Sequence, residues 1–432
     1  MVIEGKLAIG LLCVLLGVAL TSYSRLTRAS ESNFRFTILG IWLFTRIGLF
    51  IAIYGLMGID PQSDVMGYYL PQGKAAMRGL LVYRDFSTSY APIFPYVVAS
   101  AMKWVWASPK MIVLLAILAD GVSLPLWMGA TARLLPMVDA RRAALLYVAN
   151  ATPLVNVVFE GQNQAWVAAF LAAAAWLYAR GRVRLTAVVL SIPVVLVKFL
   201  SLLTVPAFIF WSKKRIAFAG AFAVLPLLVY GTLLAKGVDI LVPLKIEGTD
   251  RTSGSLPFLA TSVLNSFGVA VSPRVYDAIT VLALGVLVLW FLRQNPRLPP
   301  AAALWALVMT MMTLLLFSKK AYTAYLVLVF FPICALVASR TSDWLKSAAF
   351  GVFGAVAMIE RTLWFRWLGA RQLPEFTQHP VGARLSLHVV TFVFVDLVLL
   401  AFYGWLWYLA RAQLRSLSAD PLRSSVAASR EQ

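Results

Sequence analysis

The chain has 432 residues, of which 61% are hydrophobic and 13% are charged, whereas a soluble domain carries about 45–50% apolar and about 25% charged residues. This composition excludes an ordinary soluble globular protein and predicts an integral membrane protein. The net charge of +20 does not indicate a nucleic-acid partner, because the basic residues lie in short clusters between apolar runs, which is the positive-inside pattern of membrane proteins.

Apolar runs of about 17–25 residues, the length that crosses a bilayer as a helix, recur along the chain. They predict an all-α polytopic membrane protein with a single domain over residues 1–432, because helices satisfy their own backbone groups in lipid. We expect about 13 transmembrane helices, at 7–21, 38–57, 110–131, 141–159, 163–179, 184–197, 199–211, 216–235, 276–293, 299–317, 321–339, 345–360 and 388–411.

The basic clusters predict the orientation of these spans. The first run is as short as a signal peptide, but Glu4 offsets Lys6 and the basic residues follow the run, which favours a retained anchor. Short clusters around Arg133, Arg180 and Lys214, together with the tail 412–432, are predicted to be cytoplasmic. The long loops then lie on the outer side, at 58–109, 236–275 and 361–387.

The stretch 184–211 has two interpretations, one long span or a hairpin with Lys198 at its tip. Each arm of the hairpin reaches only about 20 Å, which is short for a full crossing. We prefer the hairpin because it keeps the cluster at Lys214 inside and gathers the polar loops on one face.

The first outer loop, 58–109, is rich in functional side chains. Its short apolar segments 65–79 and 92–106 predict helices at the membrane interface. A glycosyl-transferring enzyme needs a carboxylate that accepts the acceptor's proton, at a place where a membrane helix meets water. Asp60 and Asp64 follow the span 38–57 directly, and a helix starting near Ser63 places Tyr68 one turn from Asp64.

The loop resembles the first outer loop of the glycosyltransferase-C superfamily, and most closely its bacterial polyprenyl-phosphate-mannose-dependent α-mannosyltransferase branch. Two later segments are also similar to that branch, a polar Gly-Gln-Asn segment and a lysine-tipped hairpin. The order of all these elements carries the resemblance, which covers most of the chain. The matching residues are Asp64, Tyr68, Arg78-Gly79, Tyr83-Arg84-Asp85, Tyr90-Ala91-Pro92, Gly161-Gln162-Asn163, Lys198 and Pro206.

The resemblance implies a glycosyltransferase-C type bundle that moves a hexose, mannose by resemblance, from a polyprenyl-phosphate donor to a lipid-linked or glycan acceptor. Transfer occurs on the outer face with inversion, and Asp64 matches the position of the catalytic base. The chain departs from the family in having no Asp-x-Asp or Asp-Glu pair, and in having Lys319-Lys320 where relatives often show a histidine. No metal and no other cofactor is therefore expected.

Three lysines are predicted to bind the donor phosphate. Lys198 lies inside an apolar stretch, where a lysine is costly and functional by default, and Lys319 and Lys320 lie on the outer side, where the positive-inside rule disfavours them. Asp85 and Asp60 are candidates for a second carboxylate. The remaining substrate-binding candidates are Tyr68, Arg84, Gln162, Asn163, Tyr322 and His379.

Each candidate also has a structural interpretation. Asp64 is a favoured helix N-cap, Asp60 before Pro61 suits a turn, and Lys198 can snorkel to the interface. Asp85 beside Arg84 suits an exposed ion pair. The polar residues at 160–163 can simply end a helix, and His379 can be an exposed loop residue.

Two other functions compete with transfer. A lipid or sugar transporter or flippase would place charges near the bilayer midplane and often shows inverted repeats; Arg46 and Lys198 fit that pattern, but no repeat is visible. An O-antigen ligase or polymerase typically carries its large outer loop late in the chain, whereas here the motif-rich loop comes early.

The expected protein is a monomer in the bacterial plasma (inner) membrane, with its active site on the periplasmic or extracellular side. Its expected partners are the sugar donor, the acceptor and membrane lipids. The sequence specifies neither the sugar nor the acceptor nor the linkage.

Overall fold

The computed structural model describes residues 3–22, 24–212, 214–249, 254–294, 298–340, 344–363 and 387–419. Within these ranges, the only β pairing is an isolated bridge between Val82 and Phe86. The α-helices are α1 Ile3–Ser22, α2 Ser24–Arg28, α3 Glu31–Trp42, α4 Leu70–Met77, α5 Phe94–Trp104, α6 Lys110–Leu134, α7 Met137–Val148, α8 Ala151–Leu154, α9 Gln164–Tyr178, α10 Val183–Leu196, α11 Pro206–Ile209, α12 Arg215–Ala235, α13 Val242–Thr249, α14 Leu256–Ser266, α15 Pro273–Leu292, α16 Ala302–Phe317, α17 Leu326–Arg340, α18 Trp344–Leu363 and α19 Leu387–Ala419.

Tighter and wider helical turns interrupt this pattern. The π-helical segments are Leu43–Gly48, Ile51–Leu56, Val65–Tyr69 and Val155–Phe159, and the 3₁₀ segments are Phe199–Thr204 and Thr323–Tyr325. Single π turns inside helices are often found at functional sites, and the third of them directly follows Asp64.

Seven helices in the described part of the chain are long and apolar enough to cross a membrane, which supports an all-α, multi-pass membrane protein. An eighth span arises if α7 and the segment Ala151–Phe159, bent by 48°, cross together. The seven are Gly5–Ser22, Glu31–Leu56, Lys110–Leu134, Arg215–Ala235, Arg274–Leu292, Thr323–Arg340 and Val390–Ser418.

The expected count of about 13 spans is therefore wrong. Helices α9, α10 and α16 have only 15, 14 and 16 residues, whereas about 20 are needed to cross the hydrocarbon core. The stretch 199–211 breaks into a 3₁₀ turn and the four-residue α11. Helix α18 has 20 residues, but it carries Lys346, Glu360 and Arg361.

The chain divides into two compact units. The central unit comprises Tyr23–Val148 and Pro153–Gly248, and the terminal unit comprises Met1–Ser22, Ala149–Thr152 and Thr249–Gln432. The single domain expected from the sequence stays a prediction.

In the terminal unit, α16 packs against α15, α17 and α19. Nearly all of its side chains are buried, and a helix that is apolar on every side belongs in a core. Helix α1 packs along α18, where Gly10 and Gly351 allow close approach: a Cβ on Gly10 would lie 3.0 Å from the Cβ of Ala355. Small residues at such contacts are typical of membrane helix pairs.

In the central unit, α9 packs between α6 and α10, and α10 packs against α12. The first outer loop forms the two helices that its apolar segments predict. The π turn Val65–Tyr69 continues into α4, which packs against α5, where a Cβ on Gly73 would lie 2.7 Å from the Val98 side chain. Their position at a membrane surface stays a prediction.

The chain reverses direction at Lys198, as the hairpin interpretation predicts. Helix α10 begins at Val183, soon after Tyr178, and runs for about 20 Å. After Lys198, whose backbone is extended, the chain returns until the Phe208 ring lies 5.3 Å from the Tyr178 ring. Lys198 therefore lies at the tip of the hairpin, and Tyr178 and Phe208 mark the opposite, open end.

Candidate functional site

Asp64 lies at the start of the π turn Val65–Tyr69, after Ser63, whose φ of 59° turns the chain sharply. Its side chain is half-buried and makes no capping hydrogen bond to this turn. The N-cap interpretation of Asp64 therefore does not account for its position.

The π turn that follows Asp64 carries one exposed and one buried tyrosine. In a π-helix the hydrogen bonds run from residue i to residue i+5, and Leu70 N donates to Val65 O in this way. Tyr68, expected one α-helical turn from Asp64, is 56% exposed, whereas Tyr69 is 1% exposed. The role expected for Tyr68 stays a prediction, while the buried Tyr69 belongs to the packed interior.

Four aromatic rings of the central unit pack against one another. The Tyr69 ring lies 5.1 Å from the Tyr90 ring and 5.0 Å from the Phe94 ring, in both cases edge to face, and Phe94 lies 5.4 Å from Trp166. Such contacts stabilise by about 0.5–1.5 kcal/mol each beyond the area they bury. The four rings form a rigid aromatic floor: Tyr69, Tyr90, Phe94 and Trp166.

Tyr90 connects this floor to the charged groups. Burial raises the pKa of Tyr90 well above its usual value, and the nearby Tyr69 hydroxyl and the carboxylates of Asp64 and Glu247 raise it further. The Tyr90 hydroxyl therefore stays protonated across the physiological pH range. Asp64, Tyr90 and Glu247 all belong to the central unit.

Backbone hydrogen bonds fasten the loop to the hairpin. Ala91 N donates to Val197 O at 3.1 Å, and Ile93 N donates to Val195 O at 3.1 Å. These carbonyls can accept hydrogen bonds from the loop because α10 ends at Leu196, and the last carbonyls of a helix have no partner within it. The Tyr90-Ala91-Pro92 motif thus positions Tyr90 over the hairpin tip.

Lys198 lies directly below Tyr90. Its Nζ is 5.5 Å from the centre of the Tyr90 ring and 3.8 Å from Glu247 Oε1. The Lys198 residue is only 9% exposed, so it does not extend into water. A separation of 3.8 Å is longer than a hydrogen bond, and the ion pair is therefore loose.

Buried carboxamides border the same floor. Asn163 N donates to the Tyr69 hydroxyl at 3.4 Å, and Gln162 Nε2 donates to Glu160 at 3.5 Å. Within the described residues, no partner meets Gln162 Oε1, Gln164 Oε1 or either polar atom of the Asn163 side chain. Buried polar atoms without partners are costly and are suited to binding a polar ligand.

Asp85 and Arg84 form a local ion pair, with Arg84 Nε 2.8 Å from Asp85 Oδ1. Leu81 N also donates to Asp85 Oδ2 at 2.7 Å. The Arg84 guanidinium and this N–H lower the pKa of Asp85 to about 2. Asp85 thus closes a turn, as the ion-pair interpretation predicts, and Asp60 is exposed.

Lys319, Lys320 and Tyr322 belong to the terminal unit. Lys319 is buried and its Nζ lies 2.7 Å from Asp277 Oδ2, while Lys320 Nζ lies 5.3 Å from the centre of the Tyr322 ring. The chain itself therefore supplies an anion to Lys319. His379 lies outside the described residues.

Sequence reasoning missed Glu247, Tyr69 and the ring of Tyr90. Glu247 lies in α13, within an outer loop that shows no motif, and only folding brings it to Lys198. The sequence did hold one indication of Glu247. A lysine inside an apolar stretch needs an anion, and only 18 Asp and Glu residues in the chain could supply it.

The scan against protein-family models gives no match for this chain, and no curated protein matches it.

Proposed function

We propose that the protein is a membrane glycosyltransferase that moves a hexose from a polyprenyl-phosphate donor to the hydroxyl of a lipid-linked or glycan acceptor, with inversion. The observation that carries the proposal is the buried Lys198 ammonium group beside the Tyr90 ring and Glu247, in the unit that also contains Asp64. A carboxylate, a buried ammonium group and an aromatic surface are the groups that such a transfer requires.

In the proposed reaction, Asp64 is the general base. The acceptor oxygen attacks the anomeric carbon and its proton passes to Asp64, while the bond between that carbon and the phosphate oxygen breaks. The leaving polyprenyl phosphate keeps the electron pair. A positioned base contributes about 10²–10⁴-fold to such a step.

Lys198 binds the donor phosphate in this proposal. Glu247 holds the ammonium group in place before the donor arrives, and the long separation of 3.8 Å allows a phosphate oxygen to replace the carboxylate. Hydrogen bonds between ammonium and phosphate are short and about twice as strong as neutral ones, whereas the 3.8 Å pair with Glu247 is longer than a hydrogen bond.

The sugar occupies the space between the aromatic floor and the carboxamides. Aromatic rings suit the apolar faces of a hexose, and the orphaned atoms of Gln162 and Asn163 suit its hydroxyl groups.

The finer assignments belong to this proposal as well. They are a glycosyltransferase-C type bundle, mannose as the hexose, a monomer, and a site on the periplasmic or extracellular side of a bacterial plasma membrane. The donor-binding roles of Lys319, Lys320 and Tyr322 stay predictions from the sequence, and the proposed reaction uses no cofactor. The resemblance of the first loop supports these assignments.

The test is transfer by the purified protein from a synthetic short-chain polyprenyl-phosphate mannose to a hydroxyl acceptor. We expect mass spectrometry to show the glycosylated acceptor and NMR to show the inverted anomer. The corresponding glucose and galactose donors are assayed in the same way. If none of the three donors gives a product, the proposal is wrong.

A transporter is the second candidate, and one observation favours it. Arg46 and Asp120 form an ion pair at 3.5 Å that is completely buried, and Trp42 Nε1 donates to Asp120 at 2.7 Å. Charges buried inside membrane spans often belong to transport paths. Lipid or sugar flux in proteoliposomes, with no transfer product, would favour this candidate over the transferase.

A further inference from the structure

A groove of about 680 Å³ lies in the central unit, away from Asp64 and Lys198. It runs between α3 and α6 and is bordered by α7 and the end of α9. Its volume falls within the range of about 300–1,000 Å³ that is usual for small-molecule sites. The transfer chemistry proposed above uses none of its side chains.

One end of the groove is apolar. There the Trp42 ring packs against Gly121, where a Cβ would lie 2.7 Å from the ring, and Leu118 and Val122 line the wall. From Glu31 to Trp42, helix α3 rises by about 16 Å, which is about half of the hydrocarbon core. The groove is therefore as deep as one leaflet.

The other end is basic. Arg35, Arg141 and Arg180 line it together with a single carboxylate, Glu31. Glu31 binds Arg35 at 2.7 Å and Arg141 at 2.8 Å, whereas Arg180 stacks on Trp176, with its Cζ 3.3 Å from the ring centre. Three arginines against one carboxylate leave an excess of positive charge at this end.

Arg141 is a second feature of the basic end that suits an anion. Its side chain is 11% exposed, and its Nε is buried without a hydrogen-bond partner among the described residues. Its other nitrogens donate to Thr27 O, Ala29 O and Glu31. A guanidinium held this firmly, with one N–H unused, is ready to bind an anion.

We infer that the groove binds an anionic phospholipid, with an acyl chain between α3 and α6 and the phosphate against Arg141 and Arg180. Basic pockets between membrane helices are known to bind anionic headgroups at the cytoplasmic surface, and the positive-inside rule places these arginines there. The one-leaflet depth suits an acyl chain, whereas a polyprenyl chain is longer.

The test measures lipid binding by native mass spectrometry of the full chain in detergent. Phosphatidylglycerol and phosphatidylcholine with identical acyl chains are compared, with a polyprenyl phosphate as a third ligand. We expect phosphatidylglycerol to bind tightest. Arg180→Gln should weaken its binding about fivefold, since one cation near the surface contributes about 1 kcal/mol, and should leave phosphatidylcholine binding unchanged.

Two further variants complete the design. Arg184→Gln removes an exposed arginine that does not line the groove and should bind phosphatidylglycerol as the wild type does. Ala132→Phe, which narrows the groove, should weaken both phospholipids. Equal binding of the two phospholipids, equal losses in Arg180→Gln and Arg184→Gln, or tighter binding of the polyprenyl phosphate would each overturn the inference.

Discussion

At the scale of single residues, the ion pair between Lys198 and Glu247 gives two variants with opposite effects. Lys198→Met removes the cation that binds the donor phosphate, so the donor KM should rise by about tenfold or more. Glu247→Gln removes the competing carboxylate, so the donor KM should fall. Steady-state transfer kinetics with the short-chain donor measure both constants.

A matched control uses Lys74→Met, because Lys74 is an exposed lysine of α4 in the same outer loop. It should leave the donor KM unchanged. If Glu247→Gln raises the KM as strongly as Lys198→Met does, the pair acts only as a structural unit, and the exchange of carboxylate for phosphate is wrong.

The turn closed by Asp85 predicts a pH dependence of stability. Its pKa of about 2 in the folded protein lies below the value of about 3.9 for an unfolded chain. The carboxylate therefore stabilises the fold above pH 4, and this contribution is lost as the pH falls towards 2. The Tm difference between wild type and Asp85→Asn should be constant from pH 7 to pH 5 and shrink below pH 4.

Thermal unfolding in detergent at a series of pH values measures this difference. It should be small, because the pair is partly exposed and surface ion pairs contribute little. Turnover of Asp85→Asn should stay close to that of the wild type. A Tm difference that widens as the pH falls would contradict the assigned role of Asp85.

At the scale of helices and loops, Gly161 joins the π turn to α6. Its φ is +56°, and a Cβ there would lie 2.7 Å from Val65 and 3.1 Å from Val113. Gly161→Ala should displace Val65, the neighbour of Asp64, and so lower both stability and turnover. Gly181 is a matched control, because its φ is +69° but no atom lies within 4 Å of the position that a Cβ would take there.

Both substitutions introduce the backbone cost of a left-handed residue, but only Gly161→Ala adds a clash. We expect it to reduce the unfolding free energy by about 1–3 kcal/mol more than Gly181→Ala does. Denaturant unfolding and transfer rates measure the two effects. Equal losses in the two variants would show that the contact with Val65 has no role.

The same elements show what sequence can predict here. The two helices of the first outer loop and the reversal at Lys198 follow from local signals, namely apolar segments and a lysine between apolar arms. The burial of Tyr69 rather than Tyr68 does not, because it depends on how the π turn packs in the folded protein. Hydropathy alone also gives α16 the appearance of a span, although it is a short helix buried inside its unit.

The carboxylates that pair with the buried lysines could not be predicted from the sequence, for a different reason. Glu247 lies in the predicted outer loop 236–275 and Asp277 near the start of the span Arg274–Leu292, and each meets its lysine only through the packing of segments distant in sequence. A single sequence indicates that such lysines need anions, but not whether the anion is a carboxylate of the chain or a phosphate of the substrate.

At the scale of the whole molecule, the arrangement of loops predicts sidedness. Glu247 of the loop 236–275 lies beside Lys198, under the first outer loop, so the two loops should share one side of the membrane. Single cysteines at the exposed positions Ser87 and Lys236 should react with an impermeant thiol reagent from outside intact cells. These variants require that Cys13 and Cys334 are first replaced.

A cysteine at Arg184 is the control for this experiment. Arg184 is exposed and lies in a basic cluster that the positive-inside rule places in the cytoplasm. It should react only after the cells are permeabilised. Labelling of Ser87→Cys and Arg184→Cys from the same side would contradict the topology.

The central claim is that Asp64 is the base of a sugar transfer from a polyprenyl phosphate. Its most direct test is the transfer rate of wild type, Asp64→Asn and Asp60→Asn, measured in EDTA with the short-chain donor. We predict that the wild type and Asp60→Asn transfer the sugar, and that Asp64→Asn is slower by about 10²–10⁴-fold with unchanged donor binding. Transfer by Asp64→Asn at the wild-type rate, or loss of wild-type transfer in EDTA, would contradict the account.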